Sequence, residues 1–469
     1  PAEYPPPFRH ADHIARPQAA EDERSDVGVL NVGAGPAGLA TAVRLGQQLG
    51  EDEAVLESHG DVPNADAEKG KTAGSHLLSG AVMKPGPIKD LFPDQIDDIP
   101  RYWEVDSEAV YFLTKRGKVR IPAPPQMHNQ GNWVISISQM ARWMAEQAEE
   151  LGAFMLPETD CQKILVEDGY LKGVVTGDKG RGKEGEEMGN FEPGAELHAA
   201  VTVLAEGTPG HLTQVTRKHF DLNQGVTQTW ELGVKEVWEV PKPLTRLLHT
   251  AGWPLRLNPR YREYGGSWLY PMGEDQISLG FVVGLDYADA RLSVHDILQE
   301  FKTHPLIREI LEGGKRLTWG AKTIPGAGTY GLPTRLHVPG GVIVGDSAGF
   351  VDLAALKGVN YAIRSGMIAA ESIYEALKAE KATTTTGLWG YDEKIKNSEV
   401  WSDLWKVRNI RPAFQRGMFY GGVIHSMATA TMGRFPKRIS FKADDKEPIF
   451  LNGRRDKSYP TPDGELTFD

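Results

Sequence analysis

Cysteine is nearly absent from this sequence, since Cys161 is the single one among 469 residues. One thiol cannot form an internal disulfide, and it cannot supply a four-cysteine zinc site or a four-cysteine iron–sulfur cluster. Any redox chemistry in this chain therefore needs a bound organic cofactor or a partner.

Long apolar runs and an excess of positive charge are lacking too. No stretch reaches about eighteen consecutive apolar residues, so the sequence predicts no transmembrane helix. Acidic residues number 63 against 52 basic ones, and the resulting net charge of −11 is opposite to that of proteins that grip nucleic-acid phosphates. We therefore expect no nucleic-acid partner. Residues 1–25 lack the apolar segment of a secretory signal, and we expect an irregular tail there.

A glycine-rich motif lies between two predicted strands near the start of the chain. The first strand covers residues 27–32, and Gly33-x-Gly35-x-x-Gly38 opens a helical pattern directly after it. In such a motif Gly33 permits a tight turn, Gly35 lets the backbone approach a pyrophosphate, and Gly38 lets helix and strand pack closely. The second predicted strand ends in Glu57, which is placed to accept hydrogen bonds from a ribose. The pattern predicts a dinucleotide site; a glycine-rich turn without a ligand is the alternative.

The motif does not separate FAD from NAD, and a second signal favours FAD. Residues 340–346 are typical of a turn and a buried strand that ends in Gly345-Asp346, and a helix is predicted to begin near Gly358 and Val359. An aspartate after a strand can accept hydrogen bonds from a ribityl chain, and free helix N–H groups can face the electron-rich edge of a flavin. For Asp346 a helix N-cap is the alternative interpretation.

A third piece, residues 201–207, is predicted to be a strand that ends in Ala205-x-Gly207, as in the returning strand of an FAD domain. In this order and spacing, the three signals resemble the glutathione-reductase-type FAD fold in its hydroxylase-like branch. The predicted fold is therefore α/β, with an FAD-binding domain, an interleaved β-rich substrate domain and a C-terminal membrane-associating segment.

Longer runs resemble one family, the electron transfer flavoprotein:ubiquinone oxidoreductases. Residues 74–82 (GSHLLSGAV) resemble its G-A-H-x-L-S-G-A-x run, and residues 131–136 resemble its G-N-Y-x-x-S/R segment. Further runs that resemble the family lie at residues 249–255, 264–270, 282–287, 312–316, 407–412 and 459–464. The resemblance covers about residues 26–469.

This resemblance implies a membrane-associated flavoenzyme that takes electrons from electron transfer flavoprotein and reduces ubiquinone or another quinone. FAD carries the electrons, so no side chain is needed as a catalytic acid or nucleophile. The family runs imply FAD contacts at Ser79, Gly80 and Gly131 in addition to those above. They also imply that the quinone head group is held at Tyr264, Gly265 and Gly266, where glycine lets the backbone approach a carbonyl. Without the family, a glycine β-bulge explains the same residues.

The chain departs from the family in three respects. Members carry a fused four-cysteine [4Fe–4S] domain, which Cys161 cannot replace, so we expect no iron–sulfur cluster within this chain. The domain is then cut off here, or the cluster lies on a separate ferredoxin-like partner. Gly345-Asp346 stands where the family usually has Gly-Cys. Residues 59–72 form a predicted charged loop, and Gln130 replaces a frequent His.

A membrane contact is predicted near the end of the chain. Between residues 417 and 433 only His425 can carry a charge near neutral pH, and arginines and lysines flank this apolar stretch. Such a segment suits a membrane interface; a helix packed on the protein surface is the alternative. We expect a monotopic protein on the cytoplasmic face of a bacterial inner membrane or the matrix face of the mitochondrial one.

The predicted organisation is interleaved, with one domain built from separate parts of the chain. We predict an irregular tail over 1–25, an FAD-binding domain over 26–100, 130–215 and 315–385, a quinone domain over 101–129 and 216–314, and a C-terminal helical segment over 386–469. Three alternative functions remain open: a geranylgeranyl-reductase-like flavoprotein acting on an isoprenoid lipid, an FAD monooxygenase, and a non-catalytic flavoprotein subunit of an electron-transfer complex.

Overall fold

A computed structural model describes residues 9–20, 24–57, 62–78, 80–379 and 387–442, and for Glu53 and Glu57 it describes the backbone alone. The strands are β1 (Ile14–Ala15), β2 (Ser25–Val32), β3 (Asn64–Ala67), β4 (Ala81–Met83), β5 (Trp103–Glu104), β6 (Glu108–Leu113), β7 (Lys118–Ile121), β8 (Trp133–Ile135), β9 (Phe154–Leu156), β10 (Cys161–Glu167), β11 (Tyr170–Thr176), β12 (Lys179–Arg181), β13 (Glu187–Glu192), β14 (Glu196–Leu204), β15 (Trp230–Glu239), β16 (Leu247–Gly252), β17 (Gly265–Pro271), β18 (Gln276–Gly284), β19 (Lys315–Pro325), β20 (His337–Val338) and β21 (Gly341–Ile343). The helices are α1 (Pro36–Gly50), α2 (Glu53–Glu57), α3 (Gly86–Leu91), α4 (Ile137–Glu150), α5 (His211–His219), α6 (Val294–Lys302), α7 (Pro305–Leu311), α8 (Gly345–Ala348), α9 (Val359–Lys378), α10 (Trp389–Lys396), α11 (Glu399–Val407), α12 (Ile410–Phe414) and α13 (Met418–Ala430).

The first of two large sheets has a parallel centre. Its strands follow the order β1-β10-β11-β14-β2-β3-β9, with β21 beside β14 and β20 beside β21. From β9 through β3, β2 and β14 to β21 the strands run parallel. Val29, Leu30 and Val203 have no exposed surface, as expected where both faces of a parallel sheet are covered. The carboxyl ends of these strands share one edge, where open α/β sheets bind their ligands.

Helices α1 and α9 pack closely together against this sheet. A side chain at Gly366 of α9 would collide with the carbonyl of Ala37 in α1, so the two backbones are in direct contact. Leu45 of α1 packs with the sheet, whereas Leu39 packs with Met140 of α4. Helix α1 therefore fixes the end of β2 relative to both α4 and α9.

The second sheet has seven strands in the order β19-β15-β18-β17-β16-β6-β7 and is antiparallel except for the β16–β6 pair. Side chains alternate along β15, as the strand geometry requires. Val234 packs in a core with Ile297 and Phe301 of α6, whereas Gly233 and Lys235 line a large cavity. One face of this sheet therefore covers its own helices, and the other faces the first sheet.

Helices α10 to α13 follow α9 and are the last helices of the described chain. Tyr391 of α10 is fully buried, and its hydroxyl donates to the carbonyl of Ile343 at 3.0 Å. Helix α13 exposes several large apolar side chains. None of the helices in the described ranges is both long and apolar enough to cross a bilayer.

The prediction of a strand ending in Glu57 is wrong, because residues 53–57 form helix α2. The second parallel strand is β3, which lies inside the loop predicted over residues 59–72. Its sequence, Asn-Ala-Asp-Ala, has little β propensity. It is nevertheless buried, because it pairs with β2 on one side and β9 on the other. The Asn31 side chain in β2 donates to the Asn64 side-chain oxygen at 3.1 Å, which gives this buried polar group a partner.

Two predicted boundaries also differ from the structure. The tail predicted over residues 1–25 contains β1, which pairs with β10 through Ile14 and Ile164 and adds a strand to the first sheet. Residues 315–325, predicted within the FAD-binding domain, form β19 and pair with β15 along the second sheet. The chain therefore leaves the second sheet after Pro325.

Candidate functional site

A cavity of about 570 Å³ lies between the two sheets, at the carboxyl ends of the parallel strands. Backbone and side chains from both sheets line it, including Gly35, Glu68, Ala205, Lys235 and Asp346. The cavity has room for part of a dinucleotide-sized ligand. Among the described residues it is far larger than the second cavity, which measures about 20 Å³.

The turn after β2 has the backbone geometry that a pyrophosphate needs. Gly33 adopts φ +109°, and a Cβ there would lie 2.7 Å from the carbonyl oxygen of Ala205. A Cβ on Gly38 would collide with the carbonyl of Gly33. At Gly35, by contrast, a Cβ would meet no atom of the described chain within 4 Å, because this residue faces the cavity. The free N–H groups of α1 begin here, so the turn fits an anionic ligand.

Glu68 follows β3, so it occupies the position at the end of the second parallel strand that the sequence analysis predicted for Glu57. Its side chain accepts hydrogen bonds from the backbone N–H of Ala34 at 3.2 Å and of Gly70 at 2.7 Å. Glu68 is thereby held beside the glycine turn on the cavity wall. A shift of the carboxylate from Glu57 to Glu68 follows directly from the shift of the second strand.

Asp346 and the start of α9 lie together on the cavity wall. The Thr208 hydroxyl donates to Asp346 Oδ2 at 3.4 Å, and a Cβ on Gly358 would lie 3.6 Å from Asp346 Oδ1. Burial raises the pKa of Asp346 to about 6, against the opposing charge of Lys322. Gly358 is the N-cap of α9 and offers no side-chain cap, so the first N–H groups of this helix, including that of Val359, are available to a ligand.

Of the remaining predicted contacts with FAD, some line the cavity and others do not. Gly80 and Gly207 line the cavity. Gly345 instead lies behind the wall, where its N–H donates to the Ser365 hydroxyl at 3.0 Å and a Cβ would be 2.8 Å from that of Ala37. Gly131 is not among the lining residues, and its N–H donates to the Val105 carbonyl at 2.8 Å. Ser79 lies outside the described residues.

Two buried lysines on the cavity wall were missed in the sequence. Lys235 Nζ donates to the Gly80 carbonyl at 3.3 Å, and burial lowers its pKa to about 7. Lys357 Nζ donates to Asn129 Oδ1 at 2.8 Å and to the Ala355 carbonyl at 3.1 Å, and burial lowers its pKa to about 8. The one sequence signal for Lys235 is its position in a stretch that is otherwise rich in apolar residues.

Tyr264, Gly265 and Gly266 lie away from the large cavity. Tyr264 lines the second cavity, which shares the side chains Val351 and Leu353 with the large one. Gly265 has φ +157°, and a Cβ there would collide with the Val282 carbonyl of β18. A Cβ on Gly266 would lie 2.7 Å from the Thr250 carbonyl. Strand packing thus requires both glycines, independently of any ligand.

Buried charges surround Tyr264. The guanidinium of Arg411 lies 4.6 Å from the centre of the Tyr264 ring and forms ion pairs with Glu231 and Asp286. The Phe414 ring lies 5.1 Å from the ring of Tyr264. Burial raises the pKa of the Tyr264 hydroxyl above its usual range, so the hydroxyl is protonated and can donate.

Comparisons with known proteins give a family match and several structural likenesses. The family described as ETF-QO, ubiquinone-binding matches residues 230–324, which run from β15 almost to the end of β19. Among solved structures, a geranylgeranyl bacteriochlorophyll reductase-like protein from Thermoplasma acidophilum has a TM-score of 0.61 at 17% identity, covering 87% of this chain and 96% of that one. A myxobacterial chondrochloren halogenase, of the FAD-dependent type, has a TM-score of 0.56 at 16% identity, covering 88% and 91%. These two likenesses show a shared α/β fold.

Curated relatives are much closer in sequence. The mitochondrial electron transfer flavoprotein-ubiquinone oxidoreductase of Caenorhabditis elegans is 38% identical over 456 residues, which cover 94% of this chain and 74% of that protein. The protein of the same description from Homo sapiens is 40% identical over 461 residues, covering 94% and 72%. The chain belongs to the electron transfer flavoprotein–ubiquinone oxidoreductase family.

Proposed function

We propose that this chain is an FAD-dependent oxidoreductase that takes electrons from electron transfer flavoprotein and passes them to ubiquinone or a related quinone. The observation that carries the proposal is family membership over 94% of the chain, with the ubiquinone-binding description matching residues 230–324. These residues include Tyr264, which lines the second cavity, and Glu231, which pairs with Arg411 of its lining.

The large cavity fits FAD. Gly35 and the start of α1 would hold the pyrophosphate, and Glu68 would take the ribose in place of Glu57. Asp346 would accept hydrogen bonds from ribityl hydroxyls, and the N–H groups of Gly358 and Val359 would face the ring edge. When bound, FAD supplies the redox-active ring, while the protein binds, orients and electrostatically tunes it.

Other contacts with FAD follow from the family resemblance. We keep Ser79, Gly80 and Gly131 as proposed contacts, of which Gly80 lines the cavity. Cys161 also lines it, and burial raises the pKa of its thiol, which keeps the thiol protonated and a poor metal ligand. We propose that any iron–sulfur cluster serving this chain is held by other residues or by a ferredoxin-like partner.

The quinone head group would bind against Tyr264, beside the second cavity, which at about 20 Å³ has room only for water. Tyr264 would donate its hydroxyl to a quinone carbonyl, and Val351 with Leu353 would separate the head group from the FAD cavity. Because both cavities have Val351 and Leu353 among their lining residues, the proposed path for electrons between them is short.

Membrane association is proposed from the surface of α13 and the residues after it. Phe419 is 88% exposed, Val423 41% and Met427 43%, and exposed cations flank them at Arg416 and Arg434. An apolar face bordered by cations suits a lipid interface. Helix α12, which carries Arg411 of the quinone site, immediately precedes this surface, so a quinone dissolved in the bilayer would reach Tyr264 from there.

The main test uses the purified protein with its flavin. Absorbance first shows whether oxidised flavin is bound. The protein is then reduced anaerobically and mixed with a short-chain ubiquinone, and a second mixture tests reduction by electron transfer flavoprotein. We expect quinone to reoxidise the flavin within seconds, whereas a prenyl lipid with isolated double bonds should not. A flavin that stays reduced for minutes with quinone contradicts the proposal.

The membrane proposal has its own test. Phe419→Asp with Val423→Asp should weaken binding to vesicles of anionic and zwitterionic phospholipid by at least tenfold. Val119→Asp, at an apolar residue that is 60% exposed on the edge strand β7, is the control and should leave vesicle binding unchanged. Equal loss in both variants, or none in either, contradicts a specific membrane surface at α13.

A further inference from the structure

Arg411, Glu231 and Asp286 form a buried charge cluster beside the proposed quinone site. Arg411 Nε donates to Glu231 Oε1 at 2.7 Å, and Arg411 Nη2 donates to Asp286 Oδ1 at 2.5 Å. The three side chains are 5%, 0% and 4% exposed. A Cβ on Gly284 would lie 2.6 Å from both Arg411 Nη2 and Glu231 Oε2, so the groups converge over this glycine.

The cluster contains one cation for two carboxylates. If both carboxylates were ionised, it would carry an uncompensated negative charge away from water, which is strongly unfavourable. One carboxyl group therefore tends to hold a proton. Asp286 accepts hydrogen bonds at both oxygens, from Arg411 and from Gln415 Nε2 at 3.2 Å.

Glu231 is the carboxyl group that fits the protonated form. Its Oε2 is buried without a hydrogen-bond partner in the described part of the chain. Burial, reinforced by the charge of Asp286, raises its pKa to about 7 even though Arg411 opposes the change. Its cross-strand partners, Gly284 of β18 and Ile324 of β19, carry no charge. Arg411 and Asp286 are the charged groups that face it, and Tyr264 lies beyond Arg411.

A water-sized space connects this cluster to Tyr264. Arg411, Tyr264 and Gly326 line the second cavity, whose 20 Å³ can hold one water molecule. A Cβ on Gly326 would lie 2.5 Å from Glu231 Oε1 and 3.1 Å from the hydroxyl of Thr229. The Thr229 hydroxyl is buried and, like Glu231 Oε2, has no hydrogen-bond partner among the described residues. Polar groups that need water thus lie beside a space that can hold it.

We propose that Glu231 is a proton reservoir for quinone reduction and acts through the Tyr264 hydroxyl. This inference rests on the proposed function. Reduction of a quinone to a quinol consumes two electrons, supplied by the reduced cofactor, and two protons. For one of them, the Tyr264 O–H bond breaks as an O–H bond forms on a quinone oxygen. Glu231 then returns a proton to Tyr264 through water and remains as a carboxylate paired with Arg411.

The second proton comes from solvent, and Glu231 regains its proton from solvent before the next turnover. Glu231 touches neither substrate nor cofactor, so it is a positioning residue in the sense that it controls the protonation of Tyr264. Tyr264 is the residue that contacts the quinone. The proposal adds a side-chain proton donor to a reaction for which the resemblance implies none.

Glu231→Gln tests the inference in the full-length protein with bound flavin. Glutamine retains an oxygen that accepts from Arg411 Nε but cannot release a proton. Reoxidation of reduced flavin by ubiquinone-1 is measured by stopped flow from pH 5.5 to 9. In the wild type we expect the rate to fall as the pH rises through about 7, where Glu231 loses its proton. In Glu231→Gln we expect a rate lowered about 100-fold at pH 6 and nearly independent of pH.

The matched control is Glu236→Gln on the same strand. Glu236 is equally buried but pairs with Lys302 on the helix-facing side of the sheet. It should retain the wild-type pH profile. Ferricenium, which accepts an electron without a proton, should oxidise all three proteins at the same rate. A wild-type pH profile in Glu231→Gln overturns the inference, while quinone that oxidises none of the proteins overturns the proposed function and this inference with it.

Asp286→Asn provides a second variant if Glu231→Gln does not fold. Because the Asp286 charge raises the pKa of Glu231, its removal should lower that pKa. The fall in rate should then occur at lower pH, by at least half a pH unit. An unchanged or upward-shifted profile contradicts the role of Glu231.

Discussion

The two cavities present different kinds of chemical group to a ligand. The large cavity presents backbone groups: the glycine turn after β2 and the first N–H groups of α1 and α9, with carboxylates at Glu68 and Asp346. The small one is lined by Arg411, whose buried guanidinium forms ion pairs with Glu231 and Asp286 and lies against the Tyr264 ring. Backbone groups keep their charge at every pH, whereas a carboxyl group can gain or lose a proton. The backbone part of the large cavity is therefore insensitive to pH, whereas the carboxyl groups beside the small cavity suit proton transfer.

The largest effect should follow from removing the cation of the small site. Arg411→Met leaves two buried carboxylates without a partner and should lower the free energy of unfolding by about 3 to 5 kcal/mol. The carboxyl groups then have raised folded-state pKa values, so the loss should be greater at pH 8 than at pH 5. Urea unfolding at both values measures it.

A triple variant sharpens this prediction. Adding Glu231→Gln and Asp286→Asn to Arg411→Met removes the uncompensated charge and should recover part of the lost stability. Its free energy of unfolding should also vary less between pH 5 and pH 8 than that of Arg411→Met. A triple variant less stable than Arg411→Met would show that packing, not charge, explains the effect.

In the large cavity, substitutions at the glycine turn should instead reduce stability and FAD binding through steric conflict. Gly38→Ala places a methyl group against the Gly33 carbonyl and should cost about 3 kcal/mol and most of the bound flavin. Gly35→Ala is the matched variant, since its methyl group meets no described atom within 4 Å. It should preserve the stability of the apoprotein yet weaken FAD binding. Thermal unfolding and flavin titration separate the two outcomes, and equal destabilisation would contradict the assigned geometry.

Lys235 tests whether side-chain charge matters in the large cavity as well. Its pKa is lowered from 10.5 to about 7, so the unfolded chain binds more protons between these values and stability rises with pH across that range. Lys235→Met should remove this slope and stabilise the apoprotein at pH 7 by about 2 kcal/mol. Lys302→Met, which breaks an ion pair with Glu236, should destabilise it. A wild-type slope in Lys235→Met would exclude Lys235 as the cause.

The smallest effect distinguishes two carboxylates. Glu68→Ala should raise the Kd for FAD about tenfold, the loss of one hydrogen-bonded contact of about 1.4 kcal/mol. Glu57→Ala should leave it unchanged, because Glu57 ends a helix and does not follow the parallel strand. The reverse result would restore the original sequence prediction.

Local motifs explain why the large cavity was more predictable than the small one. Gly33, Gly35 and Asp346 each follow a parallel strand within a few residues, so a short stretch of sequence determines their geometry. Strand β3 was missed because its short polar sequence is buried by pairing with β2 and β9, and Asn31, which bonds its Asn64, lies on β2. A polar residue in a predicted buried strand was the available signal.

The small site had no comparable signal. Glu231, Tyr264, Asp286 and Arg411 come from separate segments, and each alone is an ordinary polar residue. Their meeting depends on the pairing of β15 with β18 and on the docking of α12, which are tertiary contacts. The family resemblance led to Tyr264, but the acidic pair around Arg411 emerged from the structure.

Val351 and Leu353, the side chains common to both cavities, are 6% and 8% exposed and wholly apolar. On the proposed function, this apolar wall blocks protons, which need polar groups to carry them, while electrons can tunnel through it. Electrons then reach the quinone from one side and protons from the other. Electrons and protons then meet only at the quinone, and neither can return along the path of the other.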